Sequence, residues 1–546
     1  MARIKSAIFE KRLSKFGLTL KKDRNLFFIQ DFLKIFHHGE IFLVGGAVRD
    51  IALGEKEIKD YDFVVRGINI EQLEKFLKER GKVVLVGKNF GVYKFITKDI
   101  EEEEPIDIAL PRTEHSIGHG GGYRDFKVQS DPALKIEDDL ARRDFTVNAM
   151  AIKLEVKSEK LKVIDPYGGL NDLSLGIIRA VGNPEERFKE DYSRMLRALR
   201  FSVKLNFKIE EKTFKALRGL MSEINNERKI GGVKERIVPY ETIAKELTKA
   251  FYYSPTKAFD IYDESGALAE LIPEMFTLKS CPQPKNFHSE GDVWTHTRLA
   301  LSKLDSPVFK KYFGKEKPTA SVVIGLLLHD LGKPLTLQTP EKDGTDRIRF
   351  NGHDTLGGKI AEEICRRLKL DSLPEGSPFR VDADRLRMMV EKHMLLVQGK
   401  IKEMRPATIE KYFFNPSFPG QEFLQLNLAD SLATIPQKGQ VDLSSFKAIL
   451  RRINSLKKLV KEKNRLPAPV LNGDEIMKNF NLKPGKDIGE LINFLREAQL
   501  SGELGKSESS LEGQKKKGLE ILKNYLADKK IHSKKAKTKK IIWKKR

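Results

Sequence analysis

Two aspartates one residue apart, Asp60 and Asp62, stand at the head of the apolar run "DYDFVV". If that run is a strand, residues two apart share a face, so the two carboxylates repel unless a cation lies between them. Magnesium takes one or two protein carboxylates and fills its shell with substrate phosphates and water. A pair of such ions can activate a hydroxyl and neutralise a leaving pyrophosphate. D-x-D alone is equally compatible with two solvated acids at a strand end. Asp107 in "EEEEPIDIAL" adds a third carboxylate. Ile106 and Ile108 flank it, so it sits inside an apolar strand pattern where a charge needs a partner, and a metal shared with Asp60 and Asp62 would supply one.

Upstream, "IFLVGGAVRD" leaves a strand at Gly45 and Gly46 and opens a helix. Glycines there let backbone N–H groups approach an anion, and the helix N-terminus adds partial positive charge. Arg49, one turn in, can fork onto phosphate oxygens. The bland reading is a tight turn. Downstream, "IEDDLARRDFTVNAMAI" sets Arg142, Arg143 and Asp144 before an apolar stretch in which the amide of Asn148 needs a polar partner. Taken alone, that charged triplet is ordinary surface.

The stretch "EERFKEDYSRMLRALRFSVKL" reads as one helix with Phe188, Tyr192, Met195, Leu199 and Val203 on its apolar face. Asp191, Arg194 and Arg197 recur three apart on another face, the spacing of a surface ion pair worth little. A more pointed reading exists. Aspartate accepts from an exocyclic amine and arginine donates to a ring nitrogen or carbonyl. Cytosine and adenine both present an amine beside an acceptor nitrogen, and uracil and guanine do not, so one Asp–Arg pair could admit CTP and ATP and refuse UTP and GTP.

Histidine is scarce, with 10 in 546 residues. Yet His296, the adjacent His329 and Asp330, His353 and His393 cluster, with Asp430 following in "LNLADSLA". That set supplies nitrogen and oxygen ligands for a divalent transition metal. One buried histidine is usually a satisfied core residue, but so many coordinated positions argue against that.

The elements that must hold these groups follow from patterning. Residues 1–40 read as a basic amphipathic helical lead-in, and 41–153 alternate short β-rich runs with charged segments, the patterning of an α/β or α+β head. "IDPYGGLNDL" is a joint, after which the helical period persists through a neck at 154–280, a histidine-bearing region at 285–435 and a helical body at 436–527. Residues 528–546 carry about ten basic residues and one acid and read as a disordered tail. A net charge of +23 suits a polyanionic partner such as nucleic acid. Cys281 and Cys365 are the only cysteines, which excludes a disulfide framework and fits a reducing cytoplasm. No signal-peptide core or membrane-length apolar run is present, so a soluble cytoplasmic protein is expected.

"GGAVRD", "DYDFVV", "RRDFTVNAMA" and "EDYSRMLRALRF", in this order and spacing, resemble the class II nucleotidyltransferases, which comprise bacterial and eukaryotic CCA-adding enzymes and bacterial poly(A) polymerases. The resemblance covers about residues 41–435. It implies a polymerase β-like nucleotidyltransferase head with a mixed β-sheet, followed by all-α neck, HD and tail regions. By it, Asp60 and Asp62 hold Mg2+ with Asp107 as third carboxylate. Gly45, Gly46, Arg49 and Arg143 bind the triphosphate and ribose, Asp191 and Arg194 select the base, and Arg197 joins the nucleotide site. The pattern H…HD…H…H…D, with Lys333 in "HDLGKP", resembles the HD phosphohydrolases. It implies a site of His296, His329, Asp330, His353, His393 and Asp430 that holds Ni2+, Mn2+ or a similar ion and hydrolyses phosphoesters.

The tandem, with local matches in "ALPRTE" and "IDPYGGLNDL", resembles the family of multifunctional CCA proteins, which add CCA and carry phosphatase, 2′-nucleotidase and 2′,3′-cyclic phosphodiesterase activity. The expected partners are a tRNA acceptor arm, CTP and ATP, with no membrane. "GKNFGVYKF" at 87–95 fits this better than the arginine-rich stretch of the poly(A) polymerases, and the glycine-rich "RTEHSIGHGGGYRDF" at 112–126 reads as a mobile loop. The N-terminal lead-in and basic C-terminal extension depart from the family pattern. A poly(A) polymerase, an HD phosphohydrolase with an RNA-binding head, and a non-catalytic RNA-binding protein are the alternatives, and the intact carboxylate and histidine sets speak against the last.

Overall fold

A computed structural model describes residues 6–58, 60–86, 92–98, 105–116, 126–155, 161–230, 233–398, 401, 404–457, 469–500, 502–504 and 510–543. The glycine-rich centre of the 112–126 loop and residues 87–91 of the 87–95 stretch lie outside them. The chain forms two units, Met1–Thr277 with Ile364–Val381, and Leu278–Glu363 with Asp382–Arg546. The segment Ile364–Val381, expected inside the histidine-bearing region, therefore belongs to the first unit.

In the first unit the strands are β1 (Glu40–Val44), β2 (Asp62–Arg66), β3 (Gly81–Val86), β4 (Val92–Thr97), β5 (Ile106–Ala109), β6 (Arg112–Ser116), β7 (Phe126–Ser130), β8 (Ala151–Leu154) and β9 (Lys162–Ile164). Seven of them form one mixed sheet in the order β3-β4-β5-β2-β1-β8-β9, and β6 pairs with β7 as a separate hairpin. All neighbours in the large sheet are antiparallel except β2 and β5. Ile41 to Val44 are all buried, as an unbroken apolar run in a central strand requires.

Alternation along β2 decides which side chains meet which layer. Val64 packs with Phe42, Val44, Ile136 and Leu140 on one face. Phe63 turns to the other, where Phe28 of the helix Phe27–Ile35 meets it edge-on at 5.8 Å. The helices Ser6–Lys22 and Phe27–Ile35 bury Phe9, Leu13, Phe16, Phe28, Ile29 and Phe32, so the lead-in is a layer of the head. Phe16 stacks on Tyr61, the residue between the paired aspartates, at 6.5 Å.

Beyond the sheet the first unit is helical, with a two-residue parallel strand pair and a short hairpin at Glu227–Ile230 and Val233–Arg236. The single helix expected over 185–205 is two helices, Pro184–Glu190 and Ser193–Leu205. Asp191 breaks it. Its backbone is extended (φ −151°), and its side chain accepts from the Ser193 N–H at 2.9 Å, a bond that competes with helix continuation.

The second unit is built on Val293–Lys303, Ala320–Leu328, Ala383–Lys392, Gly420–Ala433 and the start of His353–Arg367. Every residue of Ala320–Leu328 is buried, as its all-round apolar sequence demands. Helices Gly473–Phe480, Lys486–Leu500 and Leu511–Trp543 follow, around a core that includes Ile476, Leu491, Leu495 and Leu522. The last helix runs through Trp543, so the backbone is helical over much of the stretch expected to be a disordered tail. Lysine and alanine are good helix formers and no Gly or Pro interrupts residues 528–543. Among the described residues no helix is long and apolar enough to cross a membrane.

Candidate functional site

Asp62 and Asp107 are register partners across the parallel strands β2 and β5, so both carboxylates leave the same face. Asp60 stands exposed just before β2, two residues from Asp62 and on its side. Lys94 on β4 faces Asp107 and bonds it at 3.1 Å. The partner that the sequence demanded for Asp107 is thus at least in part a lysine. Burial pushes the Asp62 carboxyl up to about 6, with Arg143 opposing and Asp107 and Asp60 adding to the rise. Asp60, Asp62 and Asp107 are hard oxygen donors, the ligand type that a divalent cation such as magnesium takes.

Gly45 ends β1 at φ +71°, a conformation that an L side chain rarely adopts. A Cβ there would stand 2.7 Å from Arg143 Nη1 and 3.8 Å from Asp62 Oδ2, so the glycine is what admits the guanidinium beside the carboxylate. Gly46 starts the helix Gly46–Leu53. Arg143 Nη2 donates to Asp139 Oδ2 at 3.1 Å and Arg142 Nη2 to Asp139 Oδ1 at 2.6 Å. One fully buried carboxylate therefore aims both arginines. Burial works against its charge, and Arg143 and Arg142 hold it below the usual range.

Arg49 is buried, with Nη1 donating to Asn148 Oδ1 at 2.7 Å and Nε to Asp50 Oδ1 at 2.8 Å. Asn148 Nδ2 donates to Asp144 Oδ1 at 3.2 Å, and Arg197 Nε and Nη2 donate to Asp144 Oδ2 at 2.8 and 2.5 Å. A polar chain thus ties the glycine turn to the helix Ser193–Leu205. Burial opposes the Asp144 charge, but Arg197 and the Asn148 amide bring its pKa down to about 2. The polar partners that the Asn148 amide needs are thus Arg49 and Asp144, whereas Asp139 is not singled out by the sequence. The i+3 and i+4 spacing of Asp139 to Arg142 and Arg143 was the available signal.

Asp191 and Arg194, expected to meet one base together, are held here by separate partners. Arg194 is buried, and its Nη1 donates to Glu190 Oε2 at 2.5 Å and to the Arg187 carbonyl at 3.2 Å. Asp191 caps Ser193 at the break between the two helices.

Gly45, Gly46, Arg49, Asp60, Asp62, Arg143, Arg194 and Arg197 line one pocket of about 1120 Å³, and Asp191 is not in its lining. Arg112, Arg142, Arg200, Lys204, Lys245 and Lys249 add to its walls, so cations outnumber acids there. Its size and charge suit a polyanionic ligand.

The second unit brings its histidines together. His296 Nε2 lies 3.0 Å from Asp430 Oδ1, and His329 Nε2 lies 3.7 Å from the same oxygen and 3.2 Å from Asp330 Oδ2. His353 and His393 Nε2 lie 3.8 and 3.7 Å from Asp330 Oδ1. The outer nitrogens are all engaged. Nδ1 donates to the carbonyls of Leu326, Phe350 and Val390 from His329, His353 and His393, each at 2.7 Å. The Nδ1 of His296 meets Glu290 Oε1 at 2.8 Å. Every Nε2 is thereby left facing inward, the arrangement of metal-binding imidazoles. His329 Nε2 and Asp330 Oδ1 are buried without a hydrogen bond. Burial works against a charge on His329, yet Asp330 and Asp430 hold its pKa up at about 10. Lys333 Nζ pairs with Asp330 Oδ2 at 2.7 Å. The four histidines and two aspartates fit a divalent transition metal. Glu290, far from the HD pair in sequence, had not been singled out.

Residues 41–179 match the Poly A polymerase head domain. A multifunctional CCA protein of Nitrosococcus oceani is 33% identical over 373 residues, 68% of this chain and 78% of that protein. One from Alkalilimnicola ehrlichii is 35% identical over 334 residues, 60% and 70% of the two chains. The fold is similar to a Thermotoga maritima CCA-adding enzyme complexed with tRNA, with a TM-score of 0.53 at 24% identity over 92% of this chain and 95% of that one. This chain, a nucleotidyltransferase, belongs to the multifunctional CCA protein family.

Proposed function

We propose that this chain adds C, C and A to the tRNA 3′ end from CTP and ATP, without a nucleic-acid template. One observation carries the reading: Gly45, Arg143 and Asp62 meet within a few ångströms, an anion cradle set directly against a carboxylate corner. The turn at Gly45 and Gly46, with Arg49 and Arg143, holds the triphosphate. Asp139 fixes Arg143, and the Asp144–Asn148 link fixes Arg49 and Arg197. Asp60, Asp62 and Asp107 hold Mg2+, which when bound supplies activation of the RNA 3′ hydroxyl and neutralises the departing pyrophosphate. Arg194 faces the base, and admission of both C and A requires Asp191 to turn from its cap toward the same base. The tRNA acceptor arm is held through its backbone and shape by basic surface. The buried free thiols of Cys281 and Cys365 suit a reducing cytoplasm. Incubation of the protein with tRNA lacking CCA and each NTP in turn tests the reading.

The inward Nε2 atoms of the four histidines favour a second activity, phosphoester hydrolysis at the HD site, on substrates such as 2′,3′-cyclic phosphates. Ni2+ or Mn2+ bound there supplies a polarised water. Glu290 orients His296, and Lys333 is placed beside Asp330. Hydrolysis of a 2′,3′-cyclic nucleotide that survives Asp62→Ala and is lost in Asp330→Asn tests this.

A further inference from the structure

One wall of the pocket carries chemistry beyond what a nucleoside triphosphate needs. The helix Ser193–Leu205 leads from Arg194 past Arg197 and Arg200 to Lys204, a rise of about 15 Å. Lys204 shares that wall with Lys245 and Lys249 of the helix Tyr240–Tyr253. None of the three lysines has an ion pair among the described residues. Burial, with Arg49 beside Lys204 and with Lys245 and Arg200 beside Lys249, holds both amines below the usual lysine range. Asp50 and Asp60 oppose this at Lys204 and Glu246 opposes it at Lys249, but none of them pairs with a lysine, and cations crowded in this way suit an anion.

Two rings lie among them. Lys204 stands 5.6 Å from the Tyr253 ring and Lys249 stands 5.1 Å from that of Phe379. The rings lie 6.2 Å apart, and Phe379 packs edge-on against Tyr252 at 5.0 Å. Phe379 arrives on Ile364–Val381, the segment that returns to this unit from far downstream. Free phosphate or the triphosphate alone would use the lysines and leave the rings idle. Cations interleaved with aromatic faces are what unpaired nucleic acid uses, phosphates on the former and bases on the latter. Asp60 and Asp62 line the same pocket, so this wall and the carboxylate corner open on one space.

We infer that Lys204, Lys245, Lys249, Tyr253 and Phe379 seat the unpaired 3′ end of the acceptor RNA. Phe379 stacks on its last base, the lysines hold its phosphates, and its 3′ hydroxyl is directed to Asp60 and Asp62. This rests on the CCA-adding reading. Every base has a π-face, so stacking tolerates any base. A seat that must accept a different last base after each addition needs that tolerance.

The test uses the full chain and an acceptor-stem RNA that lacks CCA and carries 2-aminopurine as its last base. Binding to the unsubstituted protein quenches the fluorescence. Phe379→Leu keeps the packing against Tyr252 but loses the quench and raises the RNA KM about 10-fold, within the range for one stacked base. The CTP KM stays within about twofold, and Phe379→Trp restores the quench. Lys204→Ala and Lys249→Ala each raise the RNA KM and flatten its salt dependence. An unchanged quench and RNA KM in Phe379→Leu overturns the proposal, as does a raised CTP KM with the RNA KM unmoved. A quenched RNA without CTP incorporation would sink the CCA-adding reading and leave the seat standing.

Discussion

Asp62 and Asp107 face each other in register across the only parallel strand pair of the large sheet, two carboxylates on one face with Asp60 two residues away. With the Asp62 pKa raised to about 6, protons and cations compete for this corner. Cation binding needs the ionised form, so affinity is full above that value and falls as pH drops through it. The Mg2+ concentration for half-maximal CTP incorporation should rise about tenfold from pH 7 to pH 5. A flat dependence would remove Asp62 as a ligand. Asp62→Ala should abolish incorporation with the fold intact by circular dichroism.

Gly45→Ala should combine backbone strain of about 1–2 kcal/mol with a clash against Arg143. The CTP KM should rise at least about tenfold, since about 1.4 kcal/mol of lost binding suffices, with the RNA KM little changed. An unaltered CTP KM would show that the turn does not cradle the nucleotide.

Much of this corner was legible in the sequence. The D-x-D pair, the paired glycines and Asp107 are local patterns whose face follows from strand alternation. The pairing of Asp107 with Lys94 was not legible, because strand order is a long-range property. The helix containing Asp191 was misread because its apolar period continues through the break, and a capping bond two residues on overrides periodicity. Glu290 was missed for a similar reason: its partner His296 is near in sequence, but the need to hold that ring appears only when the fold brings up Asp430.

Asp144 joins Arg197 to Asn148, and its lowered pKa is a statement about stability. An aspartate depressed to about 2 stabilises the fold above its unfolded value near 4, and that contribution is lost as pH falls through 2. At pH 7 it amounts to about 2 kcal/mol. Asp144→Asn should therefore lower unfolding free energy by about that much at pH 7 and by less at pH 3. Equal losses at both pH values in urea titrations would contradict the linkage.

Glu290→Ala frees the His296 ring and should weaken Mn2+ binding about 10- to 100-fold, with partial recovery in Glu290→Gln. Calorimetry reads the affinity, and CTP incorporation should be unaffected. Unchanged affinity would show that Glu290 does not orient a ligand.

His329, with a pKa near 10, carries a proton at pH 8 in metal-free protein. A cation entering between it and the aspartates displaces that proton. Mn2+ titrations at pH 8 in buffers of different ionisation enthalpy should differ by about one proton per binding event. Identical heats would mean that the ion binds elsewhere.

The most direct measurement is incorporation of each nucleotide, supplied singly, into tRNA that lacks CCA. CTP alone should add two residues and stop, ATP should then add one, and UTP and GTP should add none. Long tails from ATP alone, or no incorporation of CTP, would contradict CCA addition.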